Sequence, residues 1–408
     1  MFLGHPNPFS YAALFLFIPL ALWFYSRFPA TKATVMTVLG GVLFLPESLA
    51  VDPPLLPPID KTSITAFWAF VGCLWKAQPR LKRARPFRGI DLFFVLLLLC
   101  NVGTAVTNQF PLITGPVVRQ ELTLYDSFAL GIKDTLAIYL PFLVGRAMFT
   151  RRKDLRTLLN GFVVAGVVYA FLALIEIRLS PQLHNWIYGY HQMDFSMAMR
   201  FGGYRPMIFM ETGLAVGMFM LSATIAAIVM HRTDNVKRYT VIFLAVVLVL
   251  IKSTGAIIYA LAVLPVVALV KRPRARLPAF LALLALLYPA LRTTDTFPTD
   301  TLVAQAEAIN EERALSLWFR FDQEYQLLQR ALEQPLFGWG GYNRNRHFDP
   351  VTGEDLSVTD GDWAIQIGSR GLVGFTAVYG LLTVPVVLTF RRIKRVRRRQ
   401  DRQRLAAL

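Results

Sequence analysis

The chain has 408 residues, 55% of them hydrophobic, with a formal net charge of +17 and a mean hydropathy of +0.46. A stretch of roughly 20 apolar residues crosses a bilayer, and several near-uncharged runs exceed what a soluble core requires. The composition therefore excludes an ordinary soluble domain and predicts an all-α, polytopic integral membrane protein with one membrane domain spanning residues 1–408. The positive charge falls in short clusters between apolar runs, a pattern that membrane topology explains without nucleic acid as a partner.

In chain order the apolar runs are 9–25, 33–50, 64–75, 90–106, 128–149, 155–179, 207–230, 239–251, 255–270, 277–291 and 372–390. They predict about 11 transmembrane helices, within a range of about 10 to 12. The first run lacks a preceding basic stretch and a following cleavage site, so it is expected to remain a membrane helix. Cys73 and Cys100 lie inside apolar runs and read as small buried hydrophobes.

Basic clusters at 76–88, 151–156, 232–238 and 271–276, and the basic tail 391–408, are expected to face the cytoplasm. The alternate loops differ in character. The segment PESLAVDPPLLPPID is acidic and proline-rich, and residues 292–362 hold 13 of the 26 acids against 6 arginines and no lysine. With the loop 180–206, these are predicted to face outward, which puts the N-terminus outside and the C-terminus inside. Fitting 239–270 between two basic clusters requires a short or broken hairpin turning at Lys252, Ser253, Thr254 and Gly255. Irregular backbone at membrane depth survives where it lines a polar cavity. Lys252 either faces the outward half of a site or snorkels to the interface.

The loop 180–206 is aromatic, carries Arg200 and Arg205, and flows into the run containing Glu211. An acid one turn inside a membrane segment needs a partner, and Arg205 or Lys252 is the natural one, whether for structure or for function. The loop 292–362 opens with EERALSLWFRFDQEYQLLQRALEQP, where Leu317, Phe321, Leu328 and Leu332 recur at helical spacing. Such an amphipathic helix suits a membrane surface. After Pro335 comes LFGWGGYNRNRHFDP. Its glycines permit tight turns, Trp339 and Tyr342 offer faces to sugar rings, and Arg344 and Arg346 offer planar forks to anions or lipid headgroups. The five histidines show no ligand spacing, and Walker A and dinucleotide-binding motifs are missing, so neither metal nor cofactor is expected.

The ordered set RPMIFMETGLAVGMF, IKSTGAIIYALAVL, SLWFRFDQEYQLLQRALEQPLFGWG and SVTDGDWAIQIGSRGLVGF resembles the O-antigen ligase and O-antigen or exopolysaccharide polymerase family, over roughly residues 205–374. Its most specific part is Arg320 followed by Pro335 and the turn of Gly338 and Gly340, with Gly371 and Gly374 forming a closing turn. The resemblance implies a bacterial inner-membrane glycosyltransferase of the GT-C type that uses no cofactor. Its donor would be an undecaprenyl-diphosphate-linked oligosaccharide presented at the periplasmic side. Its partners would be an acceptor glycan, the lipid bilayer, and chain-length regulators or export proteins.

On that footing Arg205, Lys252 and Arg320 neutralise the departing diphosphate, with Arg344 and Arg346 as further anion contacts. Asp360, Glu211 or His347 orients or deprotonates the acceptor hydroxyl, and attack opposite the leaving group inverts the anomeric carbon. Asp360 alternatively caps the helix that starts near Trp363. Family ligases commonly open this helix with a histidine in an HNxxL pattern, whereas this chain has VTDGDW; that favours a polymerase, with a lipid A-core ligase as the nearest alternative. A passive transporter or flippase would show matching inverted halves, and the sequence contains no such repeat.

Overall fold

A computed structural model describes residues 4–53, 57–200, 202–234, 236–269, 276–308, 310–358 and 361–393. Asp360, most of the basic tail and most of the cluster 271–276 lie outside the described residues. The chain is mostly helical. Its helices are α1 (Pro8–Arg27), α2 (Ala30–Phe44), α3 (Lys61–Arg83), α4 (Leu92–Thr107), α5 (Leu124–Asp134), α6 (Leu140–Met148), α7 (Arg152–Leu179) and α8 (Leu183–Tyr188). They continue with α9 (Gly213–Thr233), α10 (Arg238–Leu250), α11 (Thr254–Leu269), α12 (Arg276–Thr293), α13 (Thr299–Glu307), α14 (Glu311–Leu332) and α15 (Asp362–Ile393).

Each of the eleven apolar runs overlaps a helix, although 33–50 runs past the end of α2 and 207–230 begins ahead of α9. Among the described residues, however, only six helices are long and apolar enough to cross a membrane: Pro8–Arg27, Gly89–Thr107, Leu124–Met148, Arg152–Leu179, Gly213–Thr233 and Asp362–Arg391. Ala30–Phe44, Arg238–Leu250, Thr254–Leu269 and Pro278–Thr293 are apolar but shorter. Helix α3 spends its last turns on Arg80, Lys82 and Arg83. An apolar run and a crossing are thus different quantities here, because helix length and charge exclude several runs from the longer class.

The chain folds into two compact units. Unit 1 comprises Met1–Pro86, Lys133–Arg274 and Arg392–Leu408, and unit 2 comprises Phe87–Ile132 and Ala275–Arg391. Unit 1 packs α1–α3 and α7–α11 around Leu14, Leu43, Tyr169, Met220, Leu244 and Leu248, all essentially without solvent exposure. Several of its buried polar groups are paired. The Tyr25 hydroxyl donates to the Ala69 carbonyl at 3.0 Å and meets Thr34 Oγ1 at 2.9 Å, and the Tyr169 hydroxyl donates to the Leu43 carbonyl at 2.6 Å.

In unit 2 the amphipathic stretch is the single helix α14, as its periodicity predicts. Its buried face is Leu327, Leu328 and Ala331, which pack on Trp363, Ala364 and Ile367 of α15, while Leu332 stays exposed. Helix α15 breaks at Gly371, whose φ of 64° and ψ of −172° only glycine readily adopts. The break frees backbone groups that a continuous helix would pair. Trp339 and Gly340 amides donate to the Gly368 and Ser369 carbonyls at 2.8 and 2.9 Å, and Leu372 and Val373 amides donate to the Pro335 and Leu336 carbonyls at 2.8 and 3.2 Å. One face of α4 locks the result: Thr104 donates to the Phe337 carbonyl at 2.6 Å and Asn108 to the Gly338 carbonyl at 2.9 Å.

Candidate functional site

The polar loops of unit 1 are held by buried charge. Glu176, 1% exposed near the end of α7, accepts the Leu183 amide at 3.0 Å and the Met207 and Ile208 amides at 2.8 Å each. Lys61 pairs with Glu47 and donates to the Phe209 carbonyl at 3.0 Å, while Gln192 donates to the Ile208 and Met210 carbonyls at 3.2 and 3.1 Å. Four consecutive residues ahead of α9 are therefore clamped by side chains from three other segments. The clamp sustains an unusual backbone: Ile208 has φ of 54°, a region that β-branched residues rarely enter.

This entry segment sets the start of α9. Thr212 is its N-cap and accepts the Ala215 amide at 3.2 Å, satisfying one of the orphan donors of the first turn. Met207 to Glu211 are consequently outside the helix, and Glu211 is exposed in front of the cap instead of one turn inside a membrane segment. The apolar run begins at 207, but the capping hydroxyl, not hydropathy, decides where the helix begins. The expected need for a buried counter-charge to Glu211 disappears with its exposure.

Between α10 and α11 the chain breaks at Ile251–Ser253, where the charge pattern requires a turn, and Lys252 adopts φ of 57°. Helices α9 and α11 meet at their first turns. A Cβ on Gly217 would lie 2.8 Å from Ala256 Cβ and 2.9 Å from Ser253 Cβ, so only glycine lets the two backbones approach this closely. Arg205 crosses the same place, with its side chain packed on Gly213 at the start of α9 and its Nη2 3.2 Å from Ser253 Oγ. The Lys252 ammonium lies against Gly203. Two helix N-termini, each carrying partial positive charge, thus share one spot with an arginine and a lysine. Such a concentration of like charge is an anion-binding arrangement.

The remaining predicted residues lie in unit 2. Arg320 is exposed and lines a small pocket with Phe319, Gln323, Glu324 and Val358. Behind it, Glu324 accepts the Tyr288 hydroxyl at 2.5 Å and sits 3.5 Å from Arg292 Nε. Trp339 is buried, with the Arg330 guanidinium 3.5 Å above its ring and its Nε1 donating to the Arg330 carbonyl at 2.7 Å. Its face is therefore covered instead of open to a sugar. Tyr342 remains exposed and donates to Asp126 at 2.7 Å. Arg344 is buried and donates to the Gln120 carbonyl at 2.8 Å, Arg346 pairs with Asp355 at 2.5 Å, and His347 is exposed. Among the described residues no group of three or more His, Cys, Asp or Glu side chains is placed to hold a metal ion.

Sequence reasoning overlooked Glu176, although an acid within the run 155–179 was a visible signal. It also overlooked the hairpin of Leu112–Thr114 with Val117–Arg119, announced by the Gly-Pro turn between the strands. Fold and site together define a mostly helical chain with, among the described residues, six helices long and apolar enough to cross a membrane, and a cationic junction at two helix ends. The chain matches no known family profile, no curated protein and no solved structure.

Proposed function

We propose that this chain is a polysaccharide polymerase of the bacterial inner membrane, joining undecaprenyl-diphosphate-linked repeat units by inverting glycosyl transfer on the periplasmic side. In this proposal the chain crosses the membrane about eleven times, with its N-terminus and the segment 292–362 outside and its tail inside. The observation that carries it is the junction of Arg205, Lys252 and the N-termini of α9 and α11. A diphosphate leaving group suits this cationic junction, because negative charge grows on it as the glycosidic bond breaks. The acceptor hydroxyl oxygen forms the new bond to the anomeric carbon. The carbon–oxygen bond to phosphate breaks, its electron pair leaves on the diphosphate, and the hydroxyl proton passes to a carboxylate. Glu211, exposed one residue before the Thr212 cap, is that carboxylate in this proposal. Trp339 is given up as a sugar face because Arg330 covers it.

Purified protein in lipid, supplied with carrier-linked repeat units, separates the readings by product. Elongation supports a polymerase, transfer to lipid A-core a ligase, and translocation without transfer ends the enzymatic proposal. Arg205→Ala and Lys252→Ala should each slow elongation by about 30- to 1000-fold, equivalent to about 2 to 4 kcal/mol of transition-state stabilisation. Full activity in both variants would leave the junction as mere structure.

A further inference from the structure

Unit 2 contains a second concentration of cations. Arg330 of α14 stacks on the Trp339 indole, and the Arg344 guanidinium carbon lies 6.0 Å from the centre of the same ring. Arg344 donates through Nη1 to the carbonyl of Gln120, the residue after Arg119. Arg119, from the last strand of the hairpin, lies 3.2 Å over the Phe348 ring and reaches the Gly353 carbonyl through Nη2 at 3.4 Å. Three guanidinium groups are thus gathered on one loop cluster, from the hairpin, from α14 and from the segment after Pro335.

Their hydrogen bonding is incomplete. Arg344 is only 3% exposed, yet its Nε is buried without a hydrogen-bond partner, and so is Nη1 of Arg119. Leaving a charged donor buried and unpaired is expensive, so such groups normally have a partner. Among the described residues no carboxylate hydrogen-bonds these two N–H groups: Glu333 pairs with Arg330, and the exposed Glu121 acts on Arg344 through charge alone. Burial depresses the pKa of both Arg330 and Arg344; Glu333 opposes this at Arg330, where Arg119 adds a smaller push downward, and at Arg344 Arg330 adds to it while Glu121 opposes.

We infer that Arg330 and Arg344 at Trp339, with Arg119 on the neighbouring Phe348, form an oxyanion site for a phosphate-class group, separate from the helix-end junction of unit 1. Planar forks presenting unused N–H groups match tetrahedral oxyanions, and an indole holds one fork in place by stacking on it. The group would be either the headgroup phosphate of an anionic lipid or a soluble phosphate or diphosphate. The inference requires binding only and stands apart from the proposed glycosyl transfer.

The test uses full-length protein carrying Arg205→Ala and Lys252→Ala, so that unit 1 does not report, in nanodiscs of phosphatidylcholine. Inorganic pyrophosphate is titrated by calorimetry. Binding is expected, with Arg119→Gln and Arg344→Gln each weakening it about tenfold or more. Arg119→Lys, which keeps the charge but not the fork, should fall between. Circular dichroism and melting temperature check that each variant is folded, and because Arg344 also holds the Gln120 carbonyl, Arg119→Gln is the safer variant. In a second arm phosphatidylglycerol is added to the nanodiscs. If the source is a lipid headgroup, the lipid competes with pyrophosphate, and native mass spectrometry shows it retained by the parent and lost in Arg119→Gln. Equal affinities for both probes in parent and Arg119→Gln, or no binding of either probe, overturns the site.

Discussion

His184 shows how one buried ring reports on a whole loop. It is 1% exposed, with Nδ1 2.9 Å from the Tyr190 carbonyl oxygen and Nε2 3.1 Å from the Glu47 amide nitrogen. A carbonyl only accepts and an amide only donates, so Nδ1 carries the proton and Nε2 must stay bare. Burial is the main cause that pushes its pKa down to about 4, with the charges of Lys61 and His191 adding to it and the Tyr190 carbonyl opposing. Unfolded histidine titrates near pH 6.5, so the unfolded chain takes up this proton first. Stability from His184 is therefore complete above about pH 6.5 and lost as the pH falls toward 4, by about 3 kcal/mol in all. Thermal unfolding in detergent between those limits should show a steeper decline for the native chain than for His184→Gln. Parallel curves would show that the ring carries no such linkage. Glu176 argues in the same way without titration. Glu176→Gln turns one of two accepting oxygens into a donor among backbone N–H groups, at a cost of about 1 to 3 kcal/mol in unfolding measurements. Because the Met207 and Ile208 amides lead to Arg205, elongation should fall with it; a variant as stable and active as the native chain would dissolve the clamp.

At the scale of elements, the crossing of the Pro335–Gly340 turn with the break in α15 makes the sharpest demand on sequence. A Cβ on Gly371 would meet the Leu336 carbonyl oxygen, and its φ of 64° is strained for any other residue. Gly371→Ala should destabilise the protein by at least about 1 to 3 kcal/mol, read as a lower melting temperature of the full chain. An unchanged melting temperature would mean that the interlock is not rigid. The glycines at 338, 340 and 371 were legible as turns, because turn chemistry is local. Their pairing was not, since each orphan amide finds its carbonyl some thirty residues away. The break at Lys252 was readable for another reason: charge pattern and available length leave no room for a straight helix there. Trp339 shows the opposite case. An exposed-looking indole in a glycine-rich loop suggests a sugar platform, yet Arg330, nine positions earlier on α14, folds over it. Only tertiary packing decides which cation covers which ring.

At the scale of the whole chain, the strongest signal is the separation of charge along the sequence. Residues 292–362 hold half of all the acids, while the tail RRIKRVRRRQDRQR holds a dense arginine run. Positive segments stay on the cytoplasmic side because translocating them against the membrane potential is unfavourable. The acidic segment and the tail are separated by α15, which is long and apolar enough to cross a membrane, so they should lie on opposite sides of the bilayer. Thiol labelling reads this directly, since Cys73 and Cys100 are both fully buried and should remain silent. Thr352→Cys, at an exposed position between α14 and α15, should react with an impermeant maleimide in intact spheroplasts. Ala406→Cys, in the tail, should react only after the membrane is opened. The reverse pattern would put Tyr342, His347 and the three-arginine cluster in the cytoplasm, where a carrier-linked glycan presented outside could not reach them. It would end the polymerase proposal while leaving the oxyanion site open to its own test. Labelling of both positions in intact cells would remove the crossing assigned to α15, and with it the charge argument on which the topology stands.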